Sequence, residues 1–225
     1  MHLGPYELGP TDDPNQGIYT GDARELAQAI PDESVDLIFC DPPYLKKFLP
    51  FYGWLAEWAA RALRPGGWLF AYGAGEHIPD HVARLGEYLD YHWLFVLKHQ
   101  NGWPRMWHKK LMSAYKPVMV YTKGHPDPLP WMATLHGDNK DKRHHEWGQG
   151  EGLPFKIVEM LTDTESYICD PCCGGGTVPA VCKMLGRHWL AFEIDPATAD
   201  TARERVRNTQ PPLFVPQPEQ MALEV

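Results

Sequence analysis

From Ile18 to Arg207 the chain alternates short apolar runs with longer runs whose apolar residues recur at helical spacing. Ile18 to Asp22 reads as a strand and Ala23 to Ile30 as a helix. Val35 to Cys40 is a second strand, and Phe51 to Leu63 a helix carried by Trp54, Leu55, Trp58, Ala59 and Ala62. Arg64-Pro65-Gly66-Gly67 stops that helix. Further strands are expected at 68–72, 93–97, 117–121, 167–170 and 189–193, and helices at 78–88, 155–161, 178–185 and 196–207. Lys98 to Lys116 is expected to be a long basic loop, and 122–152 irregular. Strands and helices alternating in this way predict an α/β architecture: a mostly parallel twisted sheet of about seven strands, wrapped by helices on both faces. Such sheets bind ligands where the carboxyl ends of their strands meet a reversal of strand order.

The length of 225 residues suits one domain of this kind with a sizeable core. Residues 1–208 are read as that single domain, and 209–225, rich in Pro and Gln, as a tail that is flexible or draped on the surface. No secretory leader and no apolar run of membrane-spanning length is evident, so a soluble cytoplasmic protein away from membranes is expected. The five cysteines, Cys40, Cys169, Cys172, Cys173 and Cys182, are odd in number and clustered, which is not a disulfide framework. Cys169-x-x-Cys172 could belong to a redox pair or half a zinc site, but no second Cys/His pair stands at finger spacing. Buried free thiols are expected, with no metal.

The net charge of −8 conceals a basic middle. Residues 98–143 hold nine Lys/Arg against three Asp/Glu, with Trp103, Trp107, Tyr115 and Trp131 interleaved. Cations mixed with aromatics suit phosphate contact and base stacking, and Lys98, Arg105, Lys109, Lys110 and Lys116 are the candidate contacts.

Two loops carry chemistry. The first is Asp41-Pro42-Pro43-Tyr44, directly after the Val35–Cys40 strand. Proline keeps its carbonyl while losing its N–H, and it stiffens the backbone. The Asp41 carboxylate and the Pro42 carbonyl can therefore face the two N–H bonds of an exocyclic amine as acceptors, and Tyr44 offers a flat face for a base. The second is Asp170-Pro171-Cys172-Cys173-Gly174-Gly175-Gly176-Thr177, between a strand and a helix. Its glycines allow a close backbone approach to a ligand, and the following helix presents free N–H groups. Glu193 ends the next strand about 17 residues after the last glycine, near the offset at which an acid meets ribose hydroxyls. On these residues alone a nicotinamide dinucleotide site remains an equal reading of the loop.

The run Asp170 to Thr177, Gly186-Arg187, and Phe192-Glu193-Ile194-Asp195-Pro196 resembles the cofactor half of the bacterial and phage N6-adenine or N4-cytosine DNA methyltransferases. Gly21-Asp22, Ser34-Val35-Asp36 and Asp41 to Tyr44 resemble the opening of that family's permuted beta class, in which the catalytic motif precedes the cofactor loop. The likeness covers about residues 17–50 and 140–207. It implies a Rossmann-like methyltransferase fold in circularly permuted motif order, S-adenosylmethionine as cofactor and double-stranded DNA as partner. It implies catalysis at Asp41, Pro42, Pro43 and Tyr44. Cofactor contacts are implied at Asp22, Asp170, Pro171, Cys172, Gly174, Gly175, Gly176, Thr177, Glu193 and Asp195. His145 and Trp147 fall where the family has a segment covering the cofactor.

The chain departs from the family's pattern in three places. Cys172 stands where an aromatic is usual, and Leu153-Pro154 replaces Lys-Pro. The target-recognition region within about 98–143 is short, which points to modest specificity or to a homodimer in which a second copy assists readout. Aspartate at position 41 favours adenine N6 as the target. N4-cytosine, RNA or protein amide methylation, a dinucleotide oxidoreductase and an inactive DNA-binding protein are the alternatives.

Overall fold

The computed structural model describes residues 2–9, 17–99, 103–126, 131–138 and 151–210. Its strands are β1 (His2–Leu3), β2 (Tyr6–Glu7), β3 (Ile18–Thr20), β4 (Val35–Cys40), β5 (Leu63–Tyr72), β6 (Asp90–His99), β7 (Arg105–Met106), β8 (Leu111–Met112), β9 (Tyr115–Thr122), β10 (Leu135–Asp138), β11 (Tyr167–Asp170) and β12 (His188–Glu193). The α-helices are α1 (Ala23–Leu26), α2 (Leu49–Ala62), α3 (Ile78–Leu85), α4 (Gly152–Leu161), α5 (Thr177–Leu185) and α6 (Pro196–Asn208).

Among the described residues, eight strands make the main sheet, in the order β10-β6-β9-β5-β4-β11-β12-β3. The pairs β10–β6, β5–β4, β4–β11, β11–β12 and β12–β3 are parallel. Only β9 runs against its neighbours, β5 and β6. The expected doubly covered, mostly parallel sheet is therefore present, with one strand more than the reading of about seven.

The central strand shows why its sequence is nearly all apolar. Val35, Ile38 and Cys40 of β4 enter the core beneath α2, with Tyr52, Leu55 and Ala59. Leu37 and Phe39 enter the opposite core, with Ile157 of α4 and Val181 of α5. Alternate residues of a strand point to opposite faces, so a strand covered on both sides carries an unbroken apolar run.

Several boundaries differ from the expected ones. Strand β5 begins at Leu63 and passes through Pro65-Gly66-Gly67, because Gly66 and Gly67 exchange backbone hydrogen bonds with Lys123. Helix α3 ends at Leu85, where Gly86 caps it by donating to the Val82 carbonyl. The basic loop shrinks, since β6 and β9 reach into it and β7 and β8 pair as a small hairpin. Strand β10 lies within the stretch expected to be irregular. Leu-His-Gly-Asp has no alternating pattern, and its extended form comes from pairing with β6. The N-terminal hairpin β1–β2 was not expected either.

Helix α3 buries His81 completely, its ring 4.0 Å from that of Tyr52 between centroids. Among the described residues neither ring nitrogen has a hydrogen-bond partner. Burial keeps the imidazole neutral and pushes its pKa from 6.5 down to about 4. In the unfolded chain this residue takes up a proton near 6.5, whereas the fold resists until about 4. Stability is therefore expected to fall as pH drops through that window. Thermal melts across it check the prediction, and His81→Gln should flatten the dependence.

Candidate active site

Strands β4 and β11 lie side by side and parallel, Leu37 opposite Ile168 and Ile38 opposite Cys169. From β4 the chain continues through α2 to β5 on one side, and from β11 through α5 to β12 on the other. The connections diverge between these two strands, which makes this the switch point of the sheet. Asp41 leaves the carboxyl end of β4 and Asp170 closes β11. The two loops picked out in the sequence thus form one corner of the molecule.

Side chains join them. Cys40, at the end of β4, faces the Cys172 thiol in the loop after β11, and burial followed by that neighbour pushes the Cys40 thiol well up. Asp170 is buried and accepts the Cys172 N–H at 3.1 Å. Burial holds its carboxyl well above the usual carboxylate range, and the charges of Asp41 and Glu193 raise it further. Three carboxylates thus share one electrostatic field. All five cysteines are free thiols, four of them buried.

At the first loop, Pro42 is buried and Pro43 exposed. The Tyr44 hydroxyl donates to Asp41 Oδ1. Lys116 Nζ stands 3.5 Å from Asp41 Oδ2. The same ammonium lies 4.8 Å from the Tyr44 ring centroid and 5.1 Å from that of Tyr72. Its side chain is 11% exposed, so it turns inward to the acid instead of outward as the phosphate contact expected from the basic run. The cause is topological: β9 runs antiparallel, so its first residues lie where the parallel strands end.

At the second loop, Gly174 has φ +49 and donates its N–H to Glu193 Oε2 at 3.0 Å. Among the described residues, none beyond its chain neighbours has an atom within 4 Å of where a Gly174 Cβ would point. Gly176, at φ +75, opens α5, and a Cβ there would come 3.0 Å from the Ala202 Cβ, so this glycine lets α5 and α6 approach. Arg205 of α6, buried to 4% exposure, donates to the Gly175 carbonyl at 3.2 Å and to Thr177 Oγ1 at 2.9 Å. It also meets Glu151 at 2.7 Å. No motif marked Arg205. Its signal was only a charged residue between Ala202 and Val206 on the buried side of a helix.

Glu193 also accepts the Asp195 N–H at 2.9 Å through Oε1. The Asp195 carboxylate caps α6, the helix that carries Arg205, accepting the Thr198 N–H at 2.8 Å. Asp22 sits beside Glu193, because Thr20 is opposite Glu193 and Gly21 donates to the Glu193 carbonyl at 2.9 Å. It caps α1 and pairs with Arg24 at 2.6 Å, which holds its carboxyl below the usual range. Pro171 is buried at the turn. His145 and Trp147 lie outside the described residues.

Around this corner lie the remaining candidate contacts. Lys98 is exposed on β6. Arg105, Lys109 and Lys110 are exposed on the β7–β8 hairpin, Arg105 lying 5.6 Å from the Trp107 ring centroid. Trp103, Trp107, Leu111 and Met112 are also exposed there. His108 ties the hairpin to Glu76, after β5, at 3.0 Å. No described helix is long and apolar enough to cross a membrane.

The family model of the N6/N4 type, described as DNA methylase, matches residues 128–204. Over that stretch the chain is similar to those methylases. It is 28% identical over 251 aligned positions to the type II methyltransferase M.BamHI of Bacillus amyloliquefaciens, an alignment covering 85% of this chain and 57% of that protein. The chain thus spans a little over half the length of that relative. Its fold matches the crystal structure of the M1.HpyAVI–SAM complex with a TM-score of 0.68 at 22% identity, over 84% of this chain and 98% of that one. The match to the cytosine-N4-specific PvuII DNA methyltransferase has a TM-score of 0.73 at 17% identity, covering 92% and 96%. The Rossmann-like methyltransferase architecture follows from these likenesses and from the sheet itself.

Proposed function

We propose that this protein is a DNA methyltransferase that transfers the methyl group of S-adenosylmethionine to the exocyclic N6 of adenine. The observation that carries the reading is the meeting of the Asp41 loop and the glycine loop at the switch point of one sheet. The donor set suits the cofactor. Carboxylates at Asp41, Asp170 and Glu193 favour a cationic ligand, and the space beside Gly174 admits one against the backbone. Bound there, S-adenosylmethionine supplies an activated methyl group.

The chain's own residues do the rest. Asp170 and the Gly174–Gly176 turn hold the amino-acid end of the cofactor, and Glu193 accepts from ribose hydroxyls. Asp22 borders the adenine. Asp41 and the Pro42 carbonyl accept the two amino hydrogens of an extruded base, so that nitrogen becomes tetrahedral and its lone pair is freed. Tyr44 supports the ring. Positioning and electrostatics give the rate, and no side chain acts as a covalent nucleophile. Residues 1–208 act as one catalytic domain, with the segment within 98–143 facing the duplex.

Purified protein incubated with methyl-labelled S-adenosylmethionine and DNA, RNA or protein is expected to label DNA. Nucleoside digestion should yield N6-methyladenine, and sequencing of the product maps the site. N4-methylcytosine would change the target base, and label confined to RNA or protein would overturn the reading. Arg105, Lys109 and Lys110, exposed on the β7–β8 hairpin, are our candidates for phosphate contact. The double variant Lys109→Ala, Lys110→Ala is expected to reduce the slope of log affinity against log salt by about 0.9 per lysine. An unchanged slope removes both from the interface.

A further inference from the structure

Lys116 occupies the place that the proposed function reserves for the target amine. Its ammonium is within 3.5 Å of Asp41 Oδ2, over the Tyr44 ring at 4.8 Å and near the Tyr72 ring at 5.1 Å. An exocyclic amino group on an aromatic base needs the same two things, a carboxylate acceptor for its N–H and aromatic surface for its ring. We propose that Lys116 is a positioning residue that stands in for the amine: it keeps Asp41 ionised and aligned before the base arrives, then gives up the carboxylate to the amino group.

The surroundings show why such a cation is needed. Asp41 is faced by Tyr44 from its own loop, by Lys116 from β9, and by Asp170, Cys40 and Cys172 from the two central strands and their loops. Tyr52 of α2 also senses its charge. Lys116 is the cation among these groups. Lys116 Nζ, 3.5 Å from Asp41 Oδ2, is the opposite charge that favours the ionised form of this carboxyl, and removing it makes Asp41 easier to protonate. A protonated Asp41 loses acceptor capacity for the second partner it must bind.

The handover follows from charge. Alkylation builds positive charge on the amine nitrogen, and an ammonium fixed beside Asp41 would oppose it. The long flexible stem of lysine lets the head move away, and the exposed hairpin four residues earlier gives it a phosphate-facing surface to join. The inference rests on the reading of Asp41 as the acceptor for a base amine, and its test separates the two.

The carboxyl carbon of Asp41, assigned in NMR spectra of labelled protein by its loss in Asp41→Asn, is titrated in the wild type, Lys116→Met and Lys116→Arg. Removing the cation is expected to raise the Asp41 pKa by about one unit or more, and arginine should restore it. The acid limb of kcat/KM for methylation of the mapped DNA site, which reports the free enzyme, should move the same way. An Asp41 titration identical in wild type and Lys116→Met overturns the proposal. So does a loss of activity equal at every pH with no rescue by arginine, which would mark a structural role. If Lys116→Met does not fold, Lys116→Gln replaces it in both measurements. Wild-type protein that methylates no DNA would overturn the function above and the handover with it, whatever the carboxyl titration shows.

Discussion

Asp41→Ala is expected to lower kcat for methyl transfer by about three orders of magnitude, with the dissociation constant for S-adenosylmethionine within a few-fold of wild type. The size follows from what the carboxylate does. An exocyclic amine delocalises its lone pair into the base, and a charged acceptor on one N–H is what draws that nitrogen out of conjugation. Alanine removes the acceptor and leaves the Tyr44 hydroxyl and the Lys116 ammonium without their shared partner. Cofactor binding is spared because the glycine turn is held from elsewhere, by Glu193 and Arg205. Single-turnover transfer to DNA and calorimetric cofactor titration measure the two quantities. Near-normal turnover would refute the role given to Asp41. Asp41→Asn keeps one neutral acceptor and should fall between.

Arg205→Leu is expected to destabilise the fold by about 2–4 kcal/mol and to weaken cofactor binding at least tenfold. Arg205 is buried, and a single guanidinium satisfies the Gly175 carbonyl, the Thr177 hydroxyl and Glu151. Leucine fills much of the volume but leaves the carbonyl and hydroxyl without a donor in a closed interior. The glycine turn then loses the strut that ties it to α6. Equilibrium denaturation and the same calorimetry give both numbers. A variant that melts with the wild type would show that the turn holds its shape without this contact.

The parts of the site that were legible are those whose signal is local. Val35 to Cys40 followed by Asp-Pro-Pro is a strand and its stop within ten residues, and Asp170 to Thr177 is a strand end, a turn and a helix start. Glu193 was found by its distance from the glycines, which the strand and helix lengths set. Asp195 and Asp22 were picked with the same motifs, and both carboxylates are engaged as helix caps. An acid just before a helix serves a cap and a ligand equally well in sequence, so spacing does not separate the two roles.

The sequence by itself determined the doubly covered sheet and the two loops at its strand ends, because backbone dihedrals, hydrophobic period and glycine or proline placement act between residues close along the chain. Only the tertiary structure decided that β9 runs antiparallel and begins beside Asp41, and that α6 folds back over the glycine turn. Those two facts bring Lys116 and Arg205 to the site. A lysine in a basic stretch and an arginine on a charged helix look solvated until distant strands pair, since the low-dielectric contacts that give them a role form only when the core closes.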